Sequence, residues 1–386
     1  MICPDQKSCT GCGVCSAVCP QNAIEMAEDA AGFYYPSVKD GCIKCGKCLR
    51  SCPIDKELFL PLKGAYAYQN EDAVILKNST SGGAFYKIAA HIIKAGGVVY
   101  GCAYDENFKA KHIRVDRADD LPMLQGSKYL QSDVTGIYPA LQKDVQGGKP
   151  VLFSGTPCQN AGVRSLFGEG QQNLLLADVV CHGVPSQKMF DNYLRHLEKK
   201  HGGRIVRYSF RDKAFRGWSC SGTADILCGE KVKHIKLNPS RHYFYHAFLS
   251  GANYRPSCYS CRYARPERVA DFTLGDFWGV EKYLPDMAKN GCSVILANTN
   301  TAQRLLKEMD VNVRPTQTEW IFKGNAQLTH PQKCPPYYDE VVSMLADDAF
   351  SNIDSNYRSQ FRRALQKARM IEMIPPPIKG ILKRFL

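Results

Sequence analysis

Two runs of four cysteines, spaced alike and each closed by proline, constrain this chain more than any other feature. Cys9, Cys12, Cys15 and Cys19-Pro20 read C-x2-C-x2-C-x3-C-P, and Cys42, Cys45, Cys48 and Cys52-Pro53 repeat the pattern 33 residues later. A short C-x2-C-x2-C loop wraps three corners of a cubane cluster, and in this spacing the fourth thiolate crosses to the other cluster. Cys9, Cys12, Cys15 and Cys52 are therefore assigned to one 4Fe-4S cluster, and Cys42, Cys45, Cys48 and Cys19 to a second. Zinc ribbons use two C-x2-C pairs, not two quartets ending in Cys-Pro. A disulfide framework belongs to secreted chains, and Met1-Ile2-Cys3-Pro4 has neither the basic start nor the apolar run of an export leader.

Composition narrows the setting. Eighteen cysteines without a leader predict a reducing, cytoplasmic location. No stretch approaches the roughly 18 apolar residues of a spanning helix. The formal charge of +13 raises nucleic-acid binding as a class. Three cubanes with their thiolates would remove about six charges and a dinucleotide pyrophosphate about two, leaving about +5. No Arg/Lys run is interleaved with aromatics, so a nucleic-acid partner is not expected.

The chain divides into three parts. Residues 1–60 read as a two-cluster ferredoxin-type module, residues 64–340 as a larger mixed α/β domain, and residues 341–386 as a basic helical tail. In the second part Ala65–Tyr68 predicts a strand. Ser81 is placed to cap a helix whose Phe85, Ile88, Ala89, Ile92 and Ile93 share a face, and Gly96-Gly97 stops it. Strands are expected at 98–100, 150–154, 174–180, 269–274 and 293–298, with β structure over 204–237 and a helix after Ser186. The last nine residues, Ile378–Leu386, read either as a membrane-surface segment at the inner face of the membrane or as a helix packed on the body.

Four further cysteines have unusual contexts. Cys158 follows a strand in Gly155-Thr156-Pro157-Cys158-Gln159, Cys181 follows another in Cys181-His182-Gly183-Val184-Pro185-Ser186, and Cys258 and Cys261 form a C-x2-C. Together they make a workable four-ligand set at strand ends, where ligands of α/β sheets gather. Two other readings stand beside this one: Cys158 and Cys181 as small buried residues, or Cys158 as a nucleophile at a helix N-terminus. Cys3, Cys102, Cys220, Cys228, Cys292 and Cys334 have no partner set and read as structural.

The chain resembles the family of coenzyme F420 hydrogenase and dehydrogenase beta subunits. The resemblance lies in Ser79-Thr80-Ser81-Gly82-Gly83-Ala84-Phe85, Gly126-Ser127-Lys128-Tyr129, the Gly155–Gln159 and Cys181–Ser186 segments, Arg255–Cys261 and Ala270–Gly279. It implies an iron–sulfur flavoprotein, with FAD and a third 4Fe-4S cluster in the α/β part, the latter carried onto Cys158, Cys181, Cys258 and Cys261. It also implies electron flow between clusters, flavin and a second substrate, in deazaflavin-linked or polysaccharide-synthesis settings.

For the flavin, Ser79, Ser81, Gly82 and Gly83 stand at a helix start, where backbone N–H groups suit a pyrophosphate; ordinary capping by Ser81 is the simpler reading. Ser127, Lys128 and Tyr129 bring one cation, to phosphate or to the reduced ring. Gly155, Thr156 and Pro157 are expected to pass close to the ring. His182 is the candidate proton carrier, or else a hydrogen-bond partner of a cluster. The G-x-G-x-x-G fingerprint is absent. Two functions remain: an oxidoreductase fed by ferredoxin or a similar donor and reducing an unidentified small-molecule acceptor, or a non-catalytic electron-transfer subunit of a larger complex.

Overall fold

The computed structural model describes residues 7–168, 170–309 and 313–347, then residues 355, 357, 359 and 361–374. Cys3 and the Ile378–Leu386 segment lie outside the described residues.

In each half of the N-terminal module a helical turn follows the second cysteine, Val14–Ala17 and Lys47–Ser51. Gly13 and Gly46 precede these turns with φ of 73° and 69°. A Cβ disfavours that left-handed region, so glycine at the matched position lets each loop double back between its cysteines. Strands β1 (Ile24–Glu28) and β2 (Tyr34–Val38) pair antiparallel, Ile24 opposite Val38.

The larger domain is built on an eight-stranded sheet. Its strands are β3 (Gly64–Tyr68), β4 (Val98–Tyr104), β5 (Ala110–Val115), β6 (Val151–Gly155) and β7 (Leu174–Val179). A separate three-stranded sheet follows, with β8 (Arg204–Ser209), β9 (Gly222–Cys228) and β10 (Lys231–Leu237). The chain then returns to the first sheet with β11 (Phe272–Asp276), β12 (Ser293–Ala297) and β13 (Val313–Pro315). The order in the large sheet is β13-β3-β12-β11-β7-β6-β4-β5. Its central four strands, β11, β7, β6 and β4, run parallel.

Alternate residues of neighbouring strands go to different cores. Val99, Leu152, Leu175 and Ala177 share one with Ile88, Ala89 and Ile92 of α1 (Ala84–Lys94). Val98, Tyr100, Val151, Phe153 and Leu176 share another with Tyr138, Leu141 and Val163, the last on α2 (Pro157–Phe167). This is the period-two pattern of a sheet covered on both faces. The ends of its parallel strands therefore open on one rim, where the site is found.

Helix α1 departs from expectation at its start. The Ser81 hydroxyl donates to the Cys292 carbonyl (2.7 Å) instead of capping, and α1 begins behind Gly83, with no side-chain cap. The edge strands β5 and β13 also exceed the elements expected from sequence.

The small sheet packs on α3 (Gln187–His201) and α4 (Tyr243–Leu249). Ser186 caps α3 by accepting from the Met189 N–H. Phe190, Tyr193, Tyr208, Phe210 and Phe244 interlock there, with Tyr208 and Phe210 edge to face at 4.9 Å. A helix over Tyr338–Ala346 adds Val341, Val342 and Leu345 to this core. Tyr357, Phe361 and Leu365 join it too, so the basic helix Arg362–Met373 packs its apolar side on the body. No helix of the described residues is long and apolar enough to cross a membrane.

Candidate functional site

Cys9, Cys12, Cys15 and Cys52 line one hollow, with Gly11, Gly13, Met26, Pro36, Pro53 and Ile54. Cys52 belongs to the second run and reaches across to the first. Burial pushes the Cys12 thiol well up, and lifts Cys15 to about 12 with help from the neighbouring sulfur of Cys9. Thiols held this way stay neutral unless a cation joins them; bound iron supplies that charge. Cys19 and Cys48 pack with Ile24 and Met26 beside Cys15, while Cys42 and Cys45 are exposed. No group of three or more His, Cys, Asp or Glu among the described residues is arranged to hold a single metal ion. The thiolates of a cubane stand on the corners of a body larger than one ion.

Cys158, Cys181, Cys258 and Cys261 come from three segments and converge. Cys158 lies in the first turn of α2, whose start is closed by a capping box of Thr156 and Gln159. Cys181 stands just beyond β7. Burial pushes Cys181 to about 12 and Cys261 to about 11, and in each case the Cys158 sulfur adds to the rise. Cys258 is raised further, by burial and then by Cys181, Cys261 and Cys158.

The two quartets are neighbours. One turn of α2 beyond Cys158, a Cβ on Gly162 would lie 3.2 Å from the Cys12 sulfur. Tyr263 and Tyr138 feel sulfurs of both groups, Cys12 and Cys158. The module is seated firmly: Tyr138 donates to the Cys12 carbonyl (2.6 Å), Ser186 to the Ala31 carbonyl (2.5 Å) and Ser165 to the Ser51 carbonyl (2.7 Å).

A cavity of about 340 Å³ opens at the strand-end rim, within the size range of small-molecule and cofactor sites. Of the residues singled out from sequence, Ser79, Ser81, Gly83, Ser127, Lys128, Tyr129, Gly155, Thr156 and His182 line it, and so does Cys181. Gly82 and Pro157 do not. A Cβ on Gly82 would meet the Tyr68 carbonyl at 2.1 Å and the Ser293 nitrogen at 2.5 Å. Gly82 is glycine because the loop presses on β3 and β12, and its N–H donates to the Ser293 hydroxyl.

The rim is braced and polar. The Thr80 hydroxyl accepts from the Ser127 N–H (2.9 Å), joining the two loops, and the uncapped first turn of α1 faces the space. The Lys128 ammonium donates to the carbonyls of Gln125 (2.7 Å) and Met123 (3.1 Å), and burial lowers it to about 8. His182 is lowered by burial, with opposed smaller effects of Asp276 and Arg211. Its ring makes no hydrogen bond among the described residues.

Further polar and aromatic residues complete this region. His112, held near 4 by burial, places Nε2 2.9 Å from the Ser154 carbonyl and Nδ1 3.1 Å from the Ser132 hydroxyl. Ser132 in turn accepts from Gln159, whose side-chain oxygen accepts from Thr156 N–H. Arg211 pairs with Asp276, which also accepts from Trp218 Nε1, and Trp218 stacks on Trp278 at 4.9 Å. Cys102 and Cys220, read as structural, line the cavity as well.

Two family models match parts of the chain. Residues 8–56 match the 4Fe-4S dicluster domain, and residues 148–318 match the C terminus of the coenzyme F420 hydrogenase/dehydrogenase beta subunit. A component of the F420H2 dehydrogenase of Methanosarcina mazei is 23% identical over 257 residues, 61% of this chain and 70% of that protein. An uncharacterized ferredoxin of Methanocaldococcus jannaschii is 31% identical over 68 residues, 18% of this chain and 88% of that protein. A chain of the F420-reducing NiFe hydrogenase complex of Methanosarcina barkeri superposes with a TM-score of 0.47 at 13% identity, over 80% of this chain and 94% of that one.

Proposed function

Because the chain carries an N-terminal 4Fe-4S ferredoxin domain fused to a domain of the coenzyme F420 hydrogenase/dehydrogenase beta-subunit type, we propose that it serves as an electron-transfer subunit linking a one-electron protein partner to an FAD in the cavity. The observation that carries this reading is Cys181, which belongs to the third quartet and also lines the cavity. When bound, the clusters supply one-electron transfer, and the flavin supplies the change between one- and two-electron chemistry.

The chain's own residues have separable tasks. The open first turn of α1, with Ser79 and Thr80, offers donors to a pyrophosphate, and Lys128 offers charge. The His112–Ser132–Gln159 network ties Ser154 and Thr156 into the wall on either side of Gly155. Neutral His182 carries an exchangeable ring proton at the cavity surface. Gly162 lets α2 lie against Cys12, bringing the third quartet up to the ferredoxin domain.

The outer quartet offers a docking face. Ile43 (60% exposed) and Leu49 (56% exposed) stand near the exposed Cys42 and Cys45 in the sequence, interleaved with the exposed Lys44, Lys47 and Arg50. Such a face suits an acidic redox protein such as ferredoxin. The two-electron side is then a deazaflavin or the active site of a larger partner. A second reading, catalysis by this chain alone, is favoured by the Arg211–Asp276 pair and Trp278 at the cavity wall, which would give an acceptor polar and aromatic contacts.

Stopped-flow reduction of the FAD-loaded chain by a reduced acidic ferredoxin, without oxygen, is the test. A Cys42→Ala/Cys45→Ala double variant should slow flavin bleaching by at least about tenfold, equivalent to about 1.4 kcal/mol of barrier. Equal rates in variant and wild type would refute the inlet. Steady deazaflavin turnover by the isolated chain would favour the second reading over the first.

A further inference from the structure

Among the described residues three arginines are buried: Arg211, Arg255 and Arg268. Two of them meet carboxylates. Arg211 pairs with Asp276, and Arg268 pairs with Asp178 at 3.2 Å. Arg255, 1% exposed, meets none among the described residues. Its Nε donates to the Cys9 carbonyl (2.8 Å), Nη1 to the Gln131 side-chain oxygen (3.0 Å) and Nη2 to the Tyr34 carbonyl (2.9 Å). Its guanidinium carbon stands 4.1 Å from the centre of the Tyr35 ring. All these partners are neutral.

A guanidinium keeps its charge at any ordinary pH, and a buried ion without a counter-ion is costly. Among the described residues no side chain supplies the missing anion. Arg255 lies between two cysteine quartets. Its side chain holds the Cys9 loop, its carbonyl accepts from the Cys258 N–H (2.9 Å), and its own N–H donates to Val184, beyond Cys181. Its charge also bears on Cys158. A cubane with four thiolates carries about −2, so a loaded site on either side supplies what the side chains lack.

We propose that Arg255 is the resident counter-ion of the iron–sulfur sites that flank it, a positioning residue that locks the ferredoxin domain onto the body and raises the reduction potential of the Cys9-Cys12-Cys15-Cys52 site. Net charge and hydrogen bonding around the sulfurs are among the levers that set such potentials. On the Cys9 side the proposal needs only the ferredoxin domain. On the Cys158 side it rests on the third-cluster reading given above.

The test uses the full chain purified without oxygen, with Arg255→Gln, Arg255→Lys and Gln131→Glu. The last keeps the arginine and places a carboxylate beside it. Iron content is measured first, then site-resolved potentials by spectroscopic titration, then the thermal midpoint of the metal-free chain. Arg255→Gln should shift the reduction equilibrium of the Cys9 site at least about tenfold toward the oxidised form, a drop of about 59 mV for one electron. Arg255→Lys should stay much closer to wild type. Gln131→Glu should shift the loaded site the same way as Arg255→Gln, and should raise the melting temperature of the metal-free chain by supplying the absent counter-ion. Unchanged potentials in Arg255→Gln, or in Gln131→Glu if the first variant does not fold, would overturn the proposal. So would a metal-free Gln131→Glu chain no more stable than wild type. Iron near about eight per chain in the wild type would remove the third cluster, and the same titration at the Cys9 site would still decide the role of Arg255.

Discussion

Lys128 gives the sharpest handle on the cavity. Burial lowers it to about 8, and among the described residues its ammonium is held by two carbonyls, those of Met123 and Gln125. At pH 7 it is then roughly nine-tenths charged, and at pH 9 roughly one-tenth. A charged hydrogen bond to a flavin phosphate contributes about 1.5–3 kcal/mol, so Lys128→Met should weaken FAD binding roughly ten- to hundredfold at pH 7. At pH 9 the wild type should approach the variant. Stability should move the other way. Between pH 8 and the ordinary lysine range the unfolded chain binds more protons than the folded one, so stability of the FAD-free chain rises with pH across that window. The full drop of about 2.5 pH units corresponds to at most about 3 kcal/mol, part of which Lys128→Met should recover at pH 7. Fluorescence quenching of FAD and thermal unfolding, both at pH 7 and 9, read out the two effects. Equal FAD affinity in Lys128→Met, or wild-type affinity that does not fall between pH 7 and 9, would refute the reasoning.

Three further outcomes are expected. Gly162→Ala gains about 1 kcal/mol of helix propensity, but its Cβ crowds Cys12 at 3.1–3.2 Å and overpacking costs about 1–3 kcal/mol; the variant should unfold no later than wild type and lose iron faster in air, and a gain of stability would contradict the contact. Asp178→Ala leaves Arg268 buried without its partner, a loss of about 3–5 kcal/mol in denaturant unfolding; a loss below about 1 kcal/mol would contradict it, being no more than a surface pair contributes. His112 is neutral down to about 4 in the folded chain, so between its ordinary value of about 6.5 and about 4 the unfolded chain binds more protons and stability drops as the pH is lowered, by up to about 3 kcal/mol; His112→Gln should flatten that acid limb in a pH series of melting temperatures, and an unchanged limb would assign it to other groups.

The cluster ligands were legible because each ferredoxin quartet is set by local spacing, and a loop that wraps a cubane has few ways to be written. The third quartet was legible only as residues in odd contexts, since its members meet through the sheet. The cavity wall was half legible. Ser79, Ser81, Ser127, Lys128 and His182 stand in compact motifs, whereas His112 sits on β5, an edge strand with Lys111 and Arg114 beside it and little apolar pattern. Ser132 is brought in from a loop, and the Arg211–Asp276 pairing spans 65 residues, so it leaves no local signal. Gly82 shows the converse error. Its adjacency to Gly83 suggested a phosphate turn, but close packing against Tyr68 and Ser293 is what excludes a side chain there.

The most direct measurement is the iron and flavin content of the chain purified without oxygen and reconstituted with iron, sulfide and FAD. An account in which Cys158, Cys181, Cys258 and Cys261 join the ferredoxin domain to a flavin cavity predicts about twelve iron and about one FAD per chain. About eight iron and no retained flavin would leave a ferredoxin domain on an inert body, and would contradict it.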